Sequence, residues 1–320
     1  MATAIVDGVR KFSQNYILSS VKQIDSSSWL FGSLILRRST SPSNTATWVD
    51  ENDNSSYTLE AAPASPPSTS PVESPHVTLV YRCGGASAVW SIGSNAFCKV
   101  RFITEGVTPE SVTLNFVRDQ QPSFQTPKVF NHSFDDHLSY LFLQRLPGRT
   151  LATAWPTLSE FWRYHYVETV ASACLEMAKW TSPRLGGVDS QNIAEYYLQW
   201  KGSSEFDNAQ LQAKCEAIGM DCSNFYFYHA DLGPGNIIVE DEPSTGEIGI
   251  IDYEIAGYLP SGWVRTKFRL SSGLDIPGVE DYEGKTRWRS EVFAALGTFG
   301  FEDHTAGWRE TCEMTRAPYF

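Results

Sequence analysis

Four polar residues late in the chain have the types and spacing for chemistry. His229, Asp231 and Asn236 share the loop His229-Ala230-Asp231-Leu232-Gly233-Pro234-Gly235-Asn236, and Asp252 follows sixteen residues beyond Asn236 in Ile250-Ile251-Asp252-Tyr253-Glu254. Two carboxylates and an amide oxygen are hard donors that suit a divalent cation such as Mg2+. Phosphoryl transfer from ATP asks for this set, because the protein's part in it is positioning and charge neutralisation. On this reading Asp231 orients an acceptor hydroxyl and takes its proton, Asn236 and Asp252 hold Mg2+, and His229 braces the loop by hydrogen bonding. Either motif alone reads equally well as a turn former beside Gly and Pro. The two in this order carry the chemical meaning.

The elements around the motifs must bring them together. The loop runs straight into an apolar strand over 237–240, and 249–252 returns as its hairpin partner with Asp252 at the end. Upstream, strands are expected at 77–82, 88–92 and 96–101, separated by the turn signals Gly84-Gly85 and Gly93-Ser94-Asn95. Thr108-Pro109-Glu110 opens a helix to about residue 120, with Thr108 as cap and an early carboxylate. Strands at 128–131 and 137–145 follow, ended by Pro147-Gly148. Past Pro156 the pattern is helical: Thr157-Leu158-Ser159-Glu160 fits a capping box, and Val167, Val170, Ala171, Cys174, Leu175 and Ala178 form one buried stripe. Further helices are expected over 192–200 and 209–218, with one or two at the C-terminus.

The sheet carries its own candidates. Lys99 sits in the apolar strand Ala96-Phe97-Cys98-Lys99-Val100, where a lysine needs a solvent exit or a partner. Glu110 or Glu105 would serve, and a Lys–Glu pair would fix the α and β phosphates of a nucleotide. Gly84 and Gly85 could cover those phosphates with backbone, or simply turn a hairpin, since the segment does not match G-x-G-x-x-G. Gln144 and Leu146, in the segment leaving the last strand, are placed for an adenine edge. Ile238 and Ile251 on the hairpin complete the nucleotide-binding set.

Composition narrows the partners. A net charge of -12 and no long run of Lys and Arg exclude a nucleic-acid role and favour a cationic small substrate. No apolar run approaches the roughly 18 residues of a membrane span. Asp7, Arg10 and Lys11 interrupt any secretory leader. The six cysteines show no C-x-x-C pair and read as free thiols, consistent with a cytoplasmic protein of open oligomeric state. Residues 37–76, rich in Ser, Thr, Pro, Asn and Asp, are expected to be a disordered linker within an N-terminal extension over 1–76. The apolar stretch 29–36 before it would dock on the main domain or touch a membrane surface.

With these residues in hand, the chain resembles the aminoglycoside phosphotransferase and choline kinase-like family, most closely fungal members of unassigned substrate. The resemblance covers about 77–260. Tyr228 to Asn236 is similar to the family's His-Gly-Asp-Leu loop ending in Asn, which implies a catalytic Asp231 and a metal-binding Asn236. Asp252-Tyr253-Glu254 resembles its Asp-Phe/Trp-Glu motif, implying a metal-binding Asp252, and Lys99 and Glu110 match its nucleotide lysine and helix glutamate. Ala230 replaces the usual Gly, and Tyr253 replaces Phe or Trp. The resemblance implies an α+β, bilobal protein kinase-like fold, with a small antiparallel-sheet N-lobe over 77–146 and a mainly helical C-lobe over 147–320. It also implies an ATP- and Mg2+-dependent transfer to a hydroxyl of a small molecule. Two rivals are a protein kinase, disfavoured by Glu254 where D-F-G has Gly, and a nucleotide-binding interaction module without turnover.

Overall fold

Alternation along the strand Ala96–Phe102 organises the first half of the molecule. Ala96, Cys98 and Val100 are fully buried, whereas Phe97, Lys99 and Arg101 on the opposite face are half-buried. In the computed structural model, which describes residues 4–6, 9–11, 16–65, 67–203 and 205–314, this strand is the centre of a five-stranded antiparallel sheet. The order is Val129–Asp135, Leu138–Gln144, Ala96–Phe102, Ser87–Ile92, Val77–Cys83. Lys99 stands opposite Val89 on one side and Leu141 on the other. All five strands are those the sequence announces. Gly93, at φ +55°, turns the chain between two of them.

A further five-stranded sheet, the first of the two in chain order (residues 21–61), takes two of its five strands wholly from the region expected to be disordered. Its order is Val21–Asp25, Ser28–Phe31, Leu34–Ser39, Ser55–Ala61, Trp48–Asp50, all antiparallel. The correction has a physical basis. The polar run between residues 51 and 54 is a turn, with Asn54 at φ +53°, and it joins two short strands that each bury an aromatic side chain, Trp48 and Tyr57. The apolar stretch 29–36 supplies two central strands. Trp29, Phe31, Leu36, Trp48 and Tyr57 share one core with Trp90, Ile92, Cys98, Val100, Leu138, Tyr140 and Phe142 of the sheet that carries Lys99. Phe31 meets Phe142 edge-on at 5.3 Å, and Trp48 stacks on Phe130 at 5.0 Å. The two sheets therefore form a sandwich, and together they make one compact unit of Met1–Glu105 with Pro127–Arg145.

The other unit, Gly106–Thr126 with Leu146–Phe320, is mainly helical. Its helices of ten residues or more are Glu110–Asp119, Glu160–Met177, Asn208–Ile218, Ser261–Leu270, Tyr282–Thr298 and Thr305–Met314, with a single helical turn at Leu151–Ala154 and several strands of two to four residues. The long helix is capped by Ser159, which accepts from the Trp162 amide, and not by Thr157. Thr157 instead donates to the Ala154 carbonyl. No helix forms over 192–200. Asn192 spends its backbone on Gly106 and Thr108, and the Glu195 carboxylate turns inward, leaving one 3-10 turn at Tyr196–Leu198. All six cysteines are free thiols. Among the described residues no helix is long and apolar enough to cross a membrane.

Candidate active site

The buried strand Phe225–Tyr228 delivers the chain to His229, which has no exposed surface. The Nδ1 atom of His229 accepts from the Asp231 amide at 3.2 Å, so Nε2 carries the proton and donates to the Ile251 carbonyl at 2.9 Å. One neutral ring thereby links the two motifs. Ala230 between them lies at φ +61°, which explains why a glycine is usual there. The far side of the loop is held by the indole of Trp288, which donates to the Leu232 carbonyl at 3.3 Å. Gly233 lies so close to the Gly273 carbonyl that an added Cβ would approach it to 3.1 Å.

Asn236 ends the loop. Its Nδ2 donates to the carbonyl and to Oδ2 of Asp231, each at 2.9 Å. Beyond it, Ile237–Val239 and Ile248–Ile250 pair as the expected hairpin, with Ile237 opposite Ile250 and Ile238 opposite Gly249. Ile237, Val239, Ile248 and Ile250 point into the core, so alternation puts Ile238, Gly249 and Ile251 on the other face. Leu146 lies against Gly249 on that face, where an added Cβ would come within 2.6 Å of Leu146 Cδ1. Three residues expected to contact the nucleotide thus share one apolar face of the hairpin.

Asp252 follows in a left-handed conformation, φ +68°, unusual for a residue other than glycine. That conformation redirects the chain immediately after the strand, and Tyr253 turns inward with its ring 4.6 Å from that of His229. The Tyr253 amide donates to Glu110 Oε1 at 3.1 Å. Glu110, buried in the first turn of its helix, is thereby tied to the Asp252 segment. Oxygens of Glu110, Asp252 and Glu254 lie within 4.8 Å of one another.

Electrostatics single out Asp231. Burial, reinforced by the charges of Asp252 and Glu254, pushes its carboxyl up to about 6, against the opposing effects of Lys267 and the Asn236 hydrogen bond. Lys267 was not singled out from sequence. It is buried in the helix Ser261–Leu270 and forms a doubly hydrogen-bonded ion pair with the fully buried Glu195, at 2.6 and 2.7 Å. Glu195 also accepts from Trp263 Nε1 and the Tyr197 amide, and the lysine ammonium lies 4.5 Å from the Tyr197 ring centre. The available signal was helical spacing: Lys267 falls one turn after Trp263, on the apolar stripe.

The predicted set is therefore divided. His229, Asp231, Asn236, Asp252, Glu110, Leu146, Ile238 and Ile251 belong to the helical unit, and Lys99, Gly84, Gly85 and Gln144 to the sandwich. Gln144 accepts from the Lys128 amide and donates its own amide to the Lys128 carbonyl. Gly84 turns the Val77–Cys83/Ser87–Ile92 hairpin at φ +53° with open space where a Cβ would be.

The model of the phosphotransferase enzyme family matches residues 95–260, just over half of the chain and every motif from Lys99 to Asp252. The chain belongs to the phosphotransferase enzyme family. Its fold is the α+β, protein kinase-like one, an antiparallel sheet carrying the lysine and a helical unit carrying the loop. The first sheet, residues 21–61, lies outside the matched stretch. No protein of curated function matches the sequence significantly. Solved structures similar to this family member include aminoglycoside phosphotransferase APH(3'')-Id from Streptomyces rimosus ATCC10970, 14% identical over 75% of this chain and 93% of that one, TM-score 0.47. Another is an aminoglycoside-3'-phosphotransferase of type VIII, 17% identical over 75% and 94%, TM-score 0.49. A third is a streptomycin-ATP complex of APH(2'')-IIa, 12% identical over 75% and 82%, TM-score 0.45.

Proposed function

We propose that the protein is an ATP- and Mg2+-dependent phosphotransferase that moves the γ-phosphate of ATP to a hydroxyl of a small molecule. The observation that carries this reading is the double hydrogen bond from Asn236 to Asp231. It fixes the Asp231 carboxylate in place and commits the amide nitrogen, leaving the Asn236 carbonyl oxygen as a donor to a cation. With Asp252 beside Glu110 and Glu254, the donor set is all oxygen, which fits magnesium. Asn236 and Asp252 would hold Mg2+, which would supply charge neutralisation for the phosphoryl group in transfer.

The remaining roles fall to the chain's own groups. Asp231 accepts a hydrogen bond from the acceptor hydroxyl, aligns it with the γ-phosphate and takes its proton as the new P–O bond forms and the bond from the γ-phosphorus to the bridging oxygen breaks, with ADP as the leaving group. His229 holds the loop against Ile251 and does not exchange protons with substrate. From the sandwich, Lys99 would neutralise nucleotide phosphate charge, with Gly84, Gly85 and Gln144 as further contacts to the nucleotide; from the helical unit, Leu146, Ile238 and Ile251 would supply apolar contacts to its base. The negative surface and the carboxylates near Asp231 favour an acceptor that carries positive charge.

Two measurements test this. ATP with Mg2+ should raise the melting temperature of the purified protein, and a panel of hydroxylated amines and amino sugars should contain an acceptor that releases ADP. Asp231→Asn should keep the thermal shift and lose at least about 100-fold of the turnover. An absent shift sinks the phosphotransferase reading. A shift without turnover above the Asp231→Asn background across the panel points instead to a nucleotide-binding module.

A further inference from the structure

The first sheet does more than fill a face. The strand pair that carries Lys99 runs from Ala96 opposite Gln144 to Phe102 opposite Leu138, with Lys99 and Leu141 at its middle. The first sheet grips that pair on either side of its middle. At one end, the buried Asp50 carboxylate accepts from the Ser94 amide at 2.6 Å and from the Ser94 hydroxyl at 2.5 Å, and Asn52 Nδ2 donates to Ser94 Oγ at 2.7 Å. The Asp50 carboxylate fits so closely under the turn that a Cβ at Gly93 would run into it. Beyond the middle of the pair, Gly32 of the first sheet sits so close to the ring of Tyr140, opposite Val100, that an added Cβ would approach to 2.6 Å, and Tyr16, in the short helix Tyr16–Ser19 ahead of that sheet, donates to Asp136 at 3.0 Å.

The Asp50 end also reaches the start of the segment leaving the sheet. Asn95, next to Ser94, accepts from the Arg145 amide at 2.8 Å, and the Arg145 guanidinium lies 5.1 Å from the Phe97 ring centre. One chain of contacts thus runs from Asp50 through Ser94 and Asn95 to Arg145, one residue past Gln144.

We infer that Asp50 is a positioning residue for nucleotide binding, acting through the turn Gly93-Ser94-Asn95 to set the strand of Lys99 and the backbone at Gln144. The inference rests on the phosphotransferase reading for the roles of Lys99 and Gln144. A buried carboxylate with two short hydrogen bonds to one turn residue holds that turn in a single arrangement. Without it the turn samples others, and apparent nucleotide affinity falls with the share of the competent arrangement. The aspartate acts on the binding protein's geometry and touches no nucleotide.

The test is the dissociation constant of ATP with Mg2+, measured by calorimetry on the full-length protein at a temperature where each variant is fully folded. Asp50→Ala should weaken binding about tenfold, matching a fall of the competent share to about one tenth. Asp50→Asn, which can accept from the Ser94 amide and donate to its hydroxyl, should return to within about threefold of the parent. If Asp50→Ala does not fold, Ser94→Ala removes the hydroxyl bond alone and should weaken binding about threefold. A purely structural Asp50 would lower the melting temperature while leaving the dissociation constant of the folded protein within about twofold, and that result overturns the inference. Failure of the parent protein to bind ATP with Mg2+ would instead strike the phosphotransferase reading, so the two failures are distinct.

Discussion

Asn236 donates one amide nitrogen to both the backbone carbonyl and a carboxylate oxygen of Asp231, at 2.9 Å each. The amide therefore does two jobs at once: it orients the candidate base and aims its own carbonyl oxygen elsewhere. Asn236→Asp should undo both. It replaces the donor with a second carboxylate facing Asp231, and the like charges should cost at least about 100-fold in kcat/KM for the acceptor identified in the panel. A variant retaining a tenth or more of the parental kcat/KM would show that the pairing is incidental.

Asp231 also makes stability depend on pH. Its carboxyl titrates near 6 in the folded protein against an ordinary value of 3.8, so the folded state binds the proton more tightly. Stability from this group is complete below about pH 4 and is lost as pH rises through about 6. Asp231→Asn should therefore be more stable than the parent at pH 8, by up to about 3 kcal/mol, with the gap closing towards pH 4. Denaturant titrations of the metal-free proteins at the two pH values check this, and a gap that is constant or widens in acid contradicts it.

Lys267 and Glu195 form an ion pair with almost no exposure. Lys267→Met leaves the Glu195 carboxylate buried with the Trp263 indole and the Tyr197 amide as its remaining donors among the described residues, which should destabilise the protein by about 3–5 kcal/mol. Adding Glu195→Gln removes the orphaned charge and should recover at least about half of that loss. Chemical denaturation of both single variants and the double variant gives the coupling; simple additivity would mean that the pair contributes nothing as a pair.

Deleting residues 1–75 tests the sandwich. It uncovers Trp90, Ile92, Val100, Leu138, Tyr140 and Phe142, at about 1.5–3 kcal/mol for each large side chain. The sum is comparable with the whole ~5–15 kcal/mol that holds a domain folded. The truncated chain should be insoluble or lack a cooperative thermal transition. A soluble truncation with a sharp transition would return residues 1–75 to the status of a detachable arm.

The legible part of the fold was the part in which each strand carries its own apolar alternation. Val77–Cys83, Ser87–Ile92 and Ala96–Phe102 were visible because Gly84-Gly85 and Gly93-Ser94 separate them. The first sheet was misread because Trp48–Asp50 has only three residues and Ser55–Ala61 opens on polar Ser55-Ser56, so composition over forty residues outweighed one aromatic anchor in each. The helix expected over 192–200 failed for a different reason: Glu195 is claimed by Lys267, seventy-two residues away, and no local pattern reports that demand. Around the candidate site, the hairpin that follows the loop of Asp231 and Asn236 and leads to Asp252 was legible from spacing. The tie from Glu110 to the Tyr253 amide was not, because it joins a helix start to a strand end across 143 residues.

The two-sheet core also sets an order of events during synthesis. Trp29, Phe31, Leu36, Trp48 and Tyr57 leave the ribosome earlier, and Leu138, Tyr140 and Phe142, which complete their cover, follow roughly eighty to a hundred and ten residues later at about 5–20 residues per second. For several seconds the nascent chain carries an aromatic face with incomplete cover. This family member should therefore depend more on chaperone capacity during expression than a variant in which that face is made less apolar, and slower growth temperatures should raise its soluble yield.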